Sequence, residues 1–329
     1  MELLFFERDR FNLLYNCTFY DPDTVPAEDR GMPMVGALCL PCGLLSITLY
    51  IFCIYAIYEK GLLKHSTYRL MLLMAFYHLY GIVLGGFFMT YLLCYGPVFC
   101  DNPTFIYFAG TFGTSGWMGS TVAGTILSFN RCCEMYSSHL ARSLFSGKKV
   151  YLWMIAPCSL FLYCVMFEKP LLFNGIGNSW FFNPHYGYFD DEGKVYVNYI
   201  HTLNNTLTVF TQITLSSTFV LLYFLRVKRH ESTMSRNDKL MCLQVFIIGL
   251  FELVASLSFL IENWFSTGLA ISLIAGGSYL GANACAPYVY LIFNRSIRNV
   301  LIKRLILLHN SRVYTTNERY FLNSQSASK

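Results

Sequence analysis

Apolar positions along this chain gather into seven long, nearly charge-free runs, and polar positions gather into the joins between them. The runs are approximately Val35–Tyr58, Leu70–Phe99, Thr104–Asn130, Val150–Phe167, Tyr199–Leu225, Leu240–Ile261 and Thr267–Phe293. A helix needs about 20 mostly apolar residues to cross a bilayer, and each run approaches or exceeds that. The pattern predicts an all-α membrane protein built as a seven-transmembrane helix bundle. Function is therefore to be read as membrane function.

The joins sort their charges by side. Of 24 Lys and Arg, five (Arg8, Arg10, Arg30, Lys169 and Lys194) lie in segments on the side of the amino terminus, and the other 19 lie on the opposite side. Positive charge resists translocation, so the Lys/Arg-rich side is cytoplasmic. This predicts a multi-pass plasma-membrane protein with its amino terminus outside and its carboxyl terminus inside. Acids lean the other way, with 13 of 19 outside, including Asp21, Asp23, Asp190, Asp191 and Glu192.

Composition narrows the class. Only 13% of residues are charged and 55% are hydrophobic, with a mean hydropathy of +0.43. A soluble domain carries roughly 25% charged residues, so this chain lacks the charges for a water-facing surface. The net charge of +5 follows from the sorting. Its basic residues hug helix ends rather than forming one patch, which argues against nucleic-acid binding.

Three regions follow: an extracellular segment (1–34), the bundle (35–293) and a cytoplasmic part (294–329). Met1–Arg10 has no apolar core or small-residue cleavage site, so the first run is expected to act as its own insertion signal. Met1–Pro33 reads as too short and loop-like to fold alone. Asn16-Cys17-Thr18 is a glycosylation sequon on the outer side. Asn204-Asn205-Thr206 also matches but starts a helix, and Asn294-Arg295-Ser296 lies inside. The longest join, Glu168–Asn198, is aromatic (Trp180, Phe181, Phe182, Tyr186, Tyr188, Phe189) and reads as either an interfacial belt or a lid. After the last run, Asn294–His309 reads as a short amphipathic helix, with Ile297, Val300, Leu301, Leu305 and Leu308 against Arg295, Arg298, Lys303 and Arg304. Asn310–Lys329 is polar and Ser-rich, a composition that favours disorder.

The third run is rich in small residues (Gly110, Gly113, Ser115, Gly116, Gly119, Ser120, Gly124), which let helix backbones approach closely. That places it centrally; Gly85-Gly86 and Gly276-Gly277 are weaker cases. Candidate ligand-binding residues in outer helix halves are Phe112, Trp117, His201, Gln212, Phe259 and Tyr279. A mostly apolar cavity with few polar groups suits a small molecule, although each of these residues also suits a bundle core. Glu252 stands apart as the one acid deep in a run. Such a group is costly unless paired or solvated; His78, Asn283 or a ligand amine are the expected partners.

Two features stand at the cytoplasmic face. Asn130-Arg131-Cys132 ends the third run, where an Arg faces the bundle mouth or simply snorkels. Pro287-Tyr288-Val289-Tyr290 lies near the end of the seventh, where the proline frees a carbonyl and bends the helix. Together they resemble the switch motifs of rhodopsin-like G-protein-coupled receptors. Asn130-Arg131-Cys132 is similar to Asp-Arg-Tyr with only the Arg kept, and Pro287-x-x-Tyr290 is similar to Asn-Pro-x-x-Tyr with Ala286 in place of Asn. Phe293–Arg298 resembles the start of an eighth helix. The sixth and fifth runs lack the usual prolines and the second lacks the sodium-site Asp.

Further residues resemble the nematode chemoreceptors, in particular serpentine receptor class T (Srt). They are Tyr15-Asn16-Cys17, His65-Ser66-Thr67-Tyr68-Arg69-Leu70-Met71, Ile106-Tyr107 with the Gly-rich third run, and Asn130-Arg131. Phe145-x-Gly147-Lys148-Lys149 through Trp153 and Pro287-Tyr288 through Asn294-Arg295 continue the series. The resemblance spans Tyr15 to Arg304. It implies a rhodopsin-like architecture and a chemosensory receptor that binds an environmental small molecule and activates a heterotrimeric G protein, with the sensory cilium as an expected location. Asn130, Arg131, Pro287 and Tyr290 become switch residues, and Arg226, Lys228, Arg229 and Lys239 border the G-protein site or reflect charge sorting alone. Many seven-helix receptors tether the top of helix 3 to the second outer loop. Cys100 stands just before helix 3, but Glu168–Asn198 contains no Cys. A bridged Cys100 is expected to pair with Cys17; two free thiols are the alternative.

Rival readings fare less well. An intramembrane zinc hydrolase needs several converging His or acids, and of seven His only His78 and His201 fall within runs; no metal, no cofactor and no enzymatic activity are expected. A retinal pigment needs a Lys in Thr267–Ile302, which has none. A ligand-gated channel of the odorant-receptor type places its amino terminus inside, against the Lys/Arg count. An orphan neuropeptide-type receptor remains an alternative ligand class.

Overall fold

Within hydrocarbon a backbone must satisfy its own polar groups, and helix formation does so inside each segment. The computed structural model describes residues 1–18, 20, 25–26, 29–189, 191, 193–228, 236–265 and 268–304, and gives the backbone alone for 227–228, 236–239 and 241–242. The long helices are α1 (Pro33–Glu59), α2 (Ser66–Tyr95), α3 (Pro103–Tyr136), α4 (Lys149–Phe167), α5 (Tyr199–Lys228), α6 (Arg236–Trp264) and α7 (Leu269–Phe293). Among the described residues six of them are long and apolar enough to cross a membrane, and α3 is the exception.

The reason lies in packing. α3 is surrounded by α2, α4, α5 and α6, so most of its surface meets protein rather than lipid and needs no apolar cover. Its small residues are where neighbours enter. A Cβ on Gly119 would stand 2.6 Å from the Tyr77 ring, one on Gly116 2.5 Å from the Tyr80 ring, and one on Gly110 1.8 Å from the Leu171 carbonyl oxygen. Gly43 of α1 and Gly86 of α2 meet in the same way, each facing the other's Cα. Gly276 and Gly277 do not follow this expectation: at Gly277 nothing lies within 4 Å of where a Cβ would stand.

Helix ends follow local chemistry. α2 passes through a π-helical stretch at Val83–Phe88 and stops at Gly96, whose φ of +56° suits glycine. Asn102 caps α3 by accepting from the Phe105 amide at 3.4 Å. Ser137 caps a short helix, Ser138–Phe145, inside the join expected to be a loop. Asn294 breaks the chain after α7 and caps residues 295–304, accepting from Ser296 and Ile297 amides at 3.1 and 3.2 Å. Ile297 inserts fully into the core, and Val300 and Leu301 pack on it. Leu305, Leu308 and the tail lie outside the described residues.

Two departures from the expected elements occur on the face that holds the amino terminus. The join after α4 folds into an antiparallel hairpin, β1 (Leu172–Asn174) and β2 (Ser179–Phe181), with Phe173 opposite Trp180. Asn174 closes its turn by accepting from the Ile176 and Gly177 amides at 2.9 and 3.1 Å. The amino-terminal segment, expected to be loop-like, contains helices Glu2–Phe5 and Arg8–Leu14. Its side chains Leu3, Leu4, Phe11, Leu14 and Tyr15 join one apolar cluster with Tyr107, Phe99 and the hairpin.

Candidate functional site

Just beneath the hairpin, α2, α3, α5, α6 and α7 enclose a cavity with about 50 Å³ of free volume. Four of the candidate ligand-binding residues come together there: Trp117, His201, Phe259 and Tyr279. The Trp117 ring contacts Phe259 and Tyr279 edge-on or tilted, with centroids 5.6 and 5.7 Å apart. His201 stands 6.0 Å from Phe259. The roof is Leu171, Ser179 and Trp180 of the join after α4.

Hydrogen bonds fix these walls. Trp117 Nε1 donates to Asn205 Oδ1 at 2.8 Å, and Asn204 exchanges contacts with Thr121 at 3.0 Å. The Leu171 amide donates to Thr114 Oγ1 at 2.9 Å, and Ser179 donates to Glu262 at 3.0 Å. Asn204 and Asn205, which the sequence marks only as part of a sequon, are both buried against α3. Two polar residues side by side in an apolar run are the signal that points to them. Phe112 does not line the cavity. It packs instead with the apolar cluster under the amino-terminal segment.

Gln212 and Glu252 are likewise absent from the cavity and lie deeper. Gln212 Nε2 donates to Glu252 Oε2 at 2.6 Å, so an α5 amide partners the α6 carboxylate. The expected partners are engaged elsewhere: His78 with Tyr50, and Asn283 with the Tyr279 carbonyl at 2.8 Å. Glu252 fits only because α3 has Gly124 opposite, where a Cβ would stand 2.4 Å from Oε1. Gln244, Glu252, Tyr290 and Arg131 line a small void of about 20 Å³ that leads toward the far face.

On that far face a larger cavity of about 460 Å³ opens between α2, α3, α5 and the Ser138–Phe145 helix. Lys64, His65, Arg131, Arg142 and Arg226 line it, with Glu134 as its one acid among the described residues. Arg131 pairs with Glu134 at 2.8 Å. The single hydroxyl hydrogen of Thr67 in α2 is shared between Asn130 Oδ1 at 2.9 Å and Glu134 Oε1 at 2.7 Å. The acid missing before Arg131 in sequence is thus supplied one turn later, at a spacing that places both on one helix face. Pro287 lies inside α7, with its carbonyl accepting from Cys53 Sγ at 3.8 Å. The side chains of Lys228, Arg229 and Lys239 lie outside the described residues.

Cys17 and Cys100 form a disulfide, with Cα atoms 5.6 Å apart. It pins the amino-terminal segment beside the hairpin. Tyr196 also holds that segment, donating to the Leu14 carbonyl at 2.5 Å. His185 lies buried at this seam, and burial pushes its imidazole down to about 4 despite a hydrogen bond to the Leu14 backbone. Asn16 accepts from the Thr18 amide at 2.9 Å. Among the described residues no group of three or more His, Cys, Asp or Glu is placed to hold a metal ion.

The geometry sets a small enclosed cavity at one end of the bundle and a broad basic one at the other, with buried polar contacts between. A family model described as serpentine type 7TM GPCR chemoreceptor Srt matches residues 1–315. No curated protein matches the chain.

Proposed function

The chain belongs to the Srt family of serpentine seven-transmembrane GPCR chemoreceptors, and on that footing we propose that it is a chemosensory receptor of the plasma membrane. In this reading α1–α7 all cross the bilayer, residues 1–34 lie outside, and residues 294–329 lie in the cytoplasm. A small molecule enters the cavity lined by Trp117, His201, Phe259 and Tyr279, and a heterotrimeric G protein engages the basic cavity at Arg131.

The observation that carries the proposal is that basic cavity. It holds about 460 Å³ and is open on the Lys/Arg-rich side, where an inserted segment of partner protein would find Arg131 tethered to Glu134. Ligand acts only through its differential affinity for two helix arrangements. Tyr279, Phe259 and Trp117 touch one another from α7, α6 and α3, so a molecule wedged among them alters the packing of three helices together. The change travels past Gln212–Glu252 and Tyr290 to Arg131. Pro287 is the bend about which the end of α7 moves.

Two measurements test this. A glycosidase-sensitive glycan at Asn16, with an epitope after Lys329 reachable only in permeabilised cells, supports the orientation; the reverse arrangement overturns it. Arg131→Ala is expected to reach the surface yet lose ligand-evoked G-protein activation, and retained activation removes Arg131 from the mechanism.

A further inference from the structure

The walls of the cavity state what it can accept. Its described lining residues include no Asp, Glu, Lys or Arg. Several polar groups that reach it already have partners: Trp117 and His201 with Asn205, Thr114 with the Leu171 amide, and Ser179 with Glu262. A charged molecule entering here would lose its hydration and meet no charged side chain in the described lining, Glu262 standing behind Ser179 and already bound to it at 3.0 Å, which is unfavourable.

The aqueous mouth is closed by two layers of chain. The hairpin spans it from side to side. At one end the Gly175 amide donates to the Pro97 carbonyl at 2.9 Å, and Gly175 presses on Gly96 so closely that a Cβ would stand 2.0 Å from its carbonyl oxygen. At the other end Ser179 is tied to Glu262 of α6. Leu172 and Phe173 are buried beneath. Over the adjoining part of the mouth lies the amino-terminal segment, with Phe11 and Tyr15 packed edge-to-face with Tyr107, centroids 5.1 and 5.2 Å apart, and the Cys17–Cys100 bridge behind them.

The side of the cavity is thinner. Gly276 of α7 lines it, and the atom nearest to a Cβ there is the Met89 methyl at 3.9 Å. The next residue, Gly277, is exposed on the lipid-facing surface with open space around it. At these two positions α7 presents backbone without side chains.

We propose that the ligand is an uncharged molecule that partitions into the bilayer and reaches the cavity laterally, past Gly276–Gly277 of α7, not through the aqueous mouth. This rests on the receptor reading of the cavity, and it narrows the ligand to a neutral, compact, largely apolar compound. The free volume of about 50 Å³ is far below the roughly 300 Å³ of a drug-sized site, so the occupant is small or moves Trp117 and Tyr279 aside.

The test is independent of signalling. In full-length receptor reconstituted in nanodiscs, Trp153→Phe, Trp180→Phe and Trp264→Phe leave Trp117 as the sole tryptophan. Its quenching is followed with a short brominated alcohol and with the matching brominated carboxylate and ammonium ion. The alcohol is expected to quench Trp117 with affinity at least about tenfold above that of either ion, since an unpaired buried charge is disfavoured by more than that factor. Gly276→Leu, whose Cβ would meet the Met89 methyl at an ordinary 3.9 Å, is expected to slow alcohol quenching several-fold; Cys17→Ser with Cys100→Ser, which loosens the roof, is expected to leave that rate unchanged. Equal quenching by an ion overturns the ligand class. Faster quenching on loosening the roof, or no effect of Gly276→Leu, overturns the lateral route. Neutral-selective quenching in a protein that activates no G protein would retain this inference while rejecting the receptor reading.

Discussion

Glu134→Gln is expected to raise basal G-protein activation without loss of surface receptor. The carboxylate holds Arg131 at 2.8 Å along α3 and accepts from Thr67 of α2 at 2.7 Å. A glutamine keeps the shape and can still accept from Thr67, but its NH2 stands where Oε2 accepted from Arg131, so the change removes both the charge and that acceptor. The Arg131 side chain is 9% exposed and that of Glu134 36%. The pair therefore lies between exposed pairs, worth about 0–1 kcal/mol, and buried ones whose disruption costs about 3–5 kcal/mol. Losing about 1 kcal/mol from the resting arrangement shifts the ratio of active to resting receptor about fivefold, since 1.4 kcal/mol is tenfold. The assay is nucleotide exchange on a G protein in membranes without ligand, normalised to surface epitope. Thr67→Val, which cuts the link to α2, should move it in the same direction. Arg131→Ala placed on the Glu134→Gln background should abolish the gain. Unchanged basal exchange at normal surface level would refute the view that Glu134 restrains Arg131.

Gly124→Ala places a methyl 2.4 Å from Glu252 Oε1 and should cost about 1–3 kcal/mol by overpacking, lowering the melting temperature in detergent, whereas Gly277→Ala meets open space and should not. Cys17→Ser opens a loop of 83 residues; chain entropy puts its loss at about 4.5 kcal/mol. That value is an upper bound because α1 and α2 stay inserted when packing is lost, and a melt comparing wild type with the variant reads it. His185 is held down to about 4 by burial, so the folded state resists a proton that the unfolded chain accepts near 6.5. Stability is then complete above about pH 6.5 and declines as pH falls toward 4, a slope that His185→Gln should flatten in pH-dependent melts. Asn205→Ala leaves Trp117 Nε1 without its acceptor and should weaken probe binding at the cavity, read by Trp117 fluorescence, more than Asn205→Asp does.

The apolar runs, the charge asymmetry and the order of short motifs determined the class of this protein from sequence alone, because each is a local consequence of hydrocarbon as solvent. That Trp117, His201, Phe259 and Tyr279 come near one another was also legible, since aromatic residues at one end of a bundle converge. Which polar groups meet was not. Glu252 finds Gln212 rather than His78 because helix rotation and crossing bring together partners 40 residues apart, whereas Arg131 finds Glu134 one turn along its own helix, a contact that spacing permits but does not select. The hairpin, the buried Asn204 and Asn205 and the helical amino-terminal segment likewise depended on surfaces supplied by distant parts of the chain. Periodicity records which side of a helix is apolar; only the packed bundle decides what that side touches.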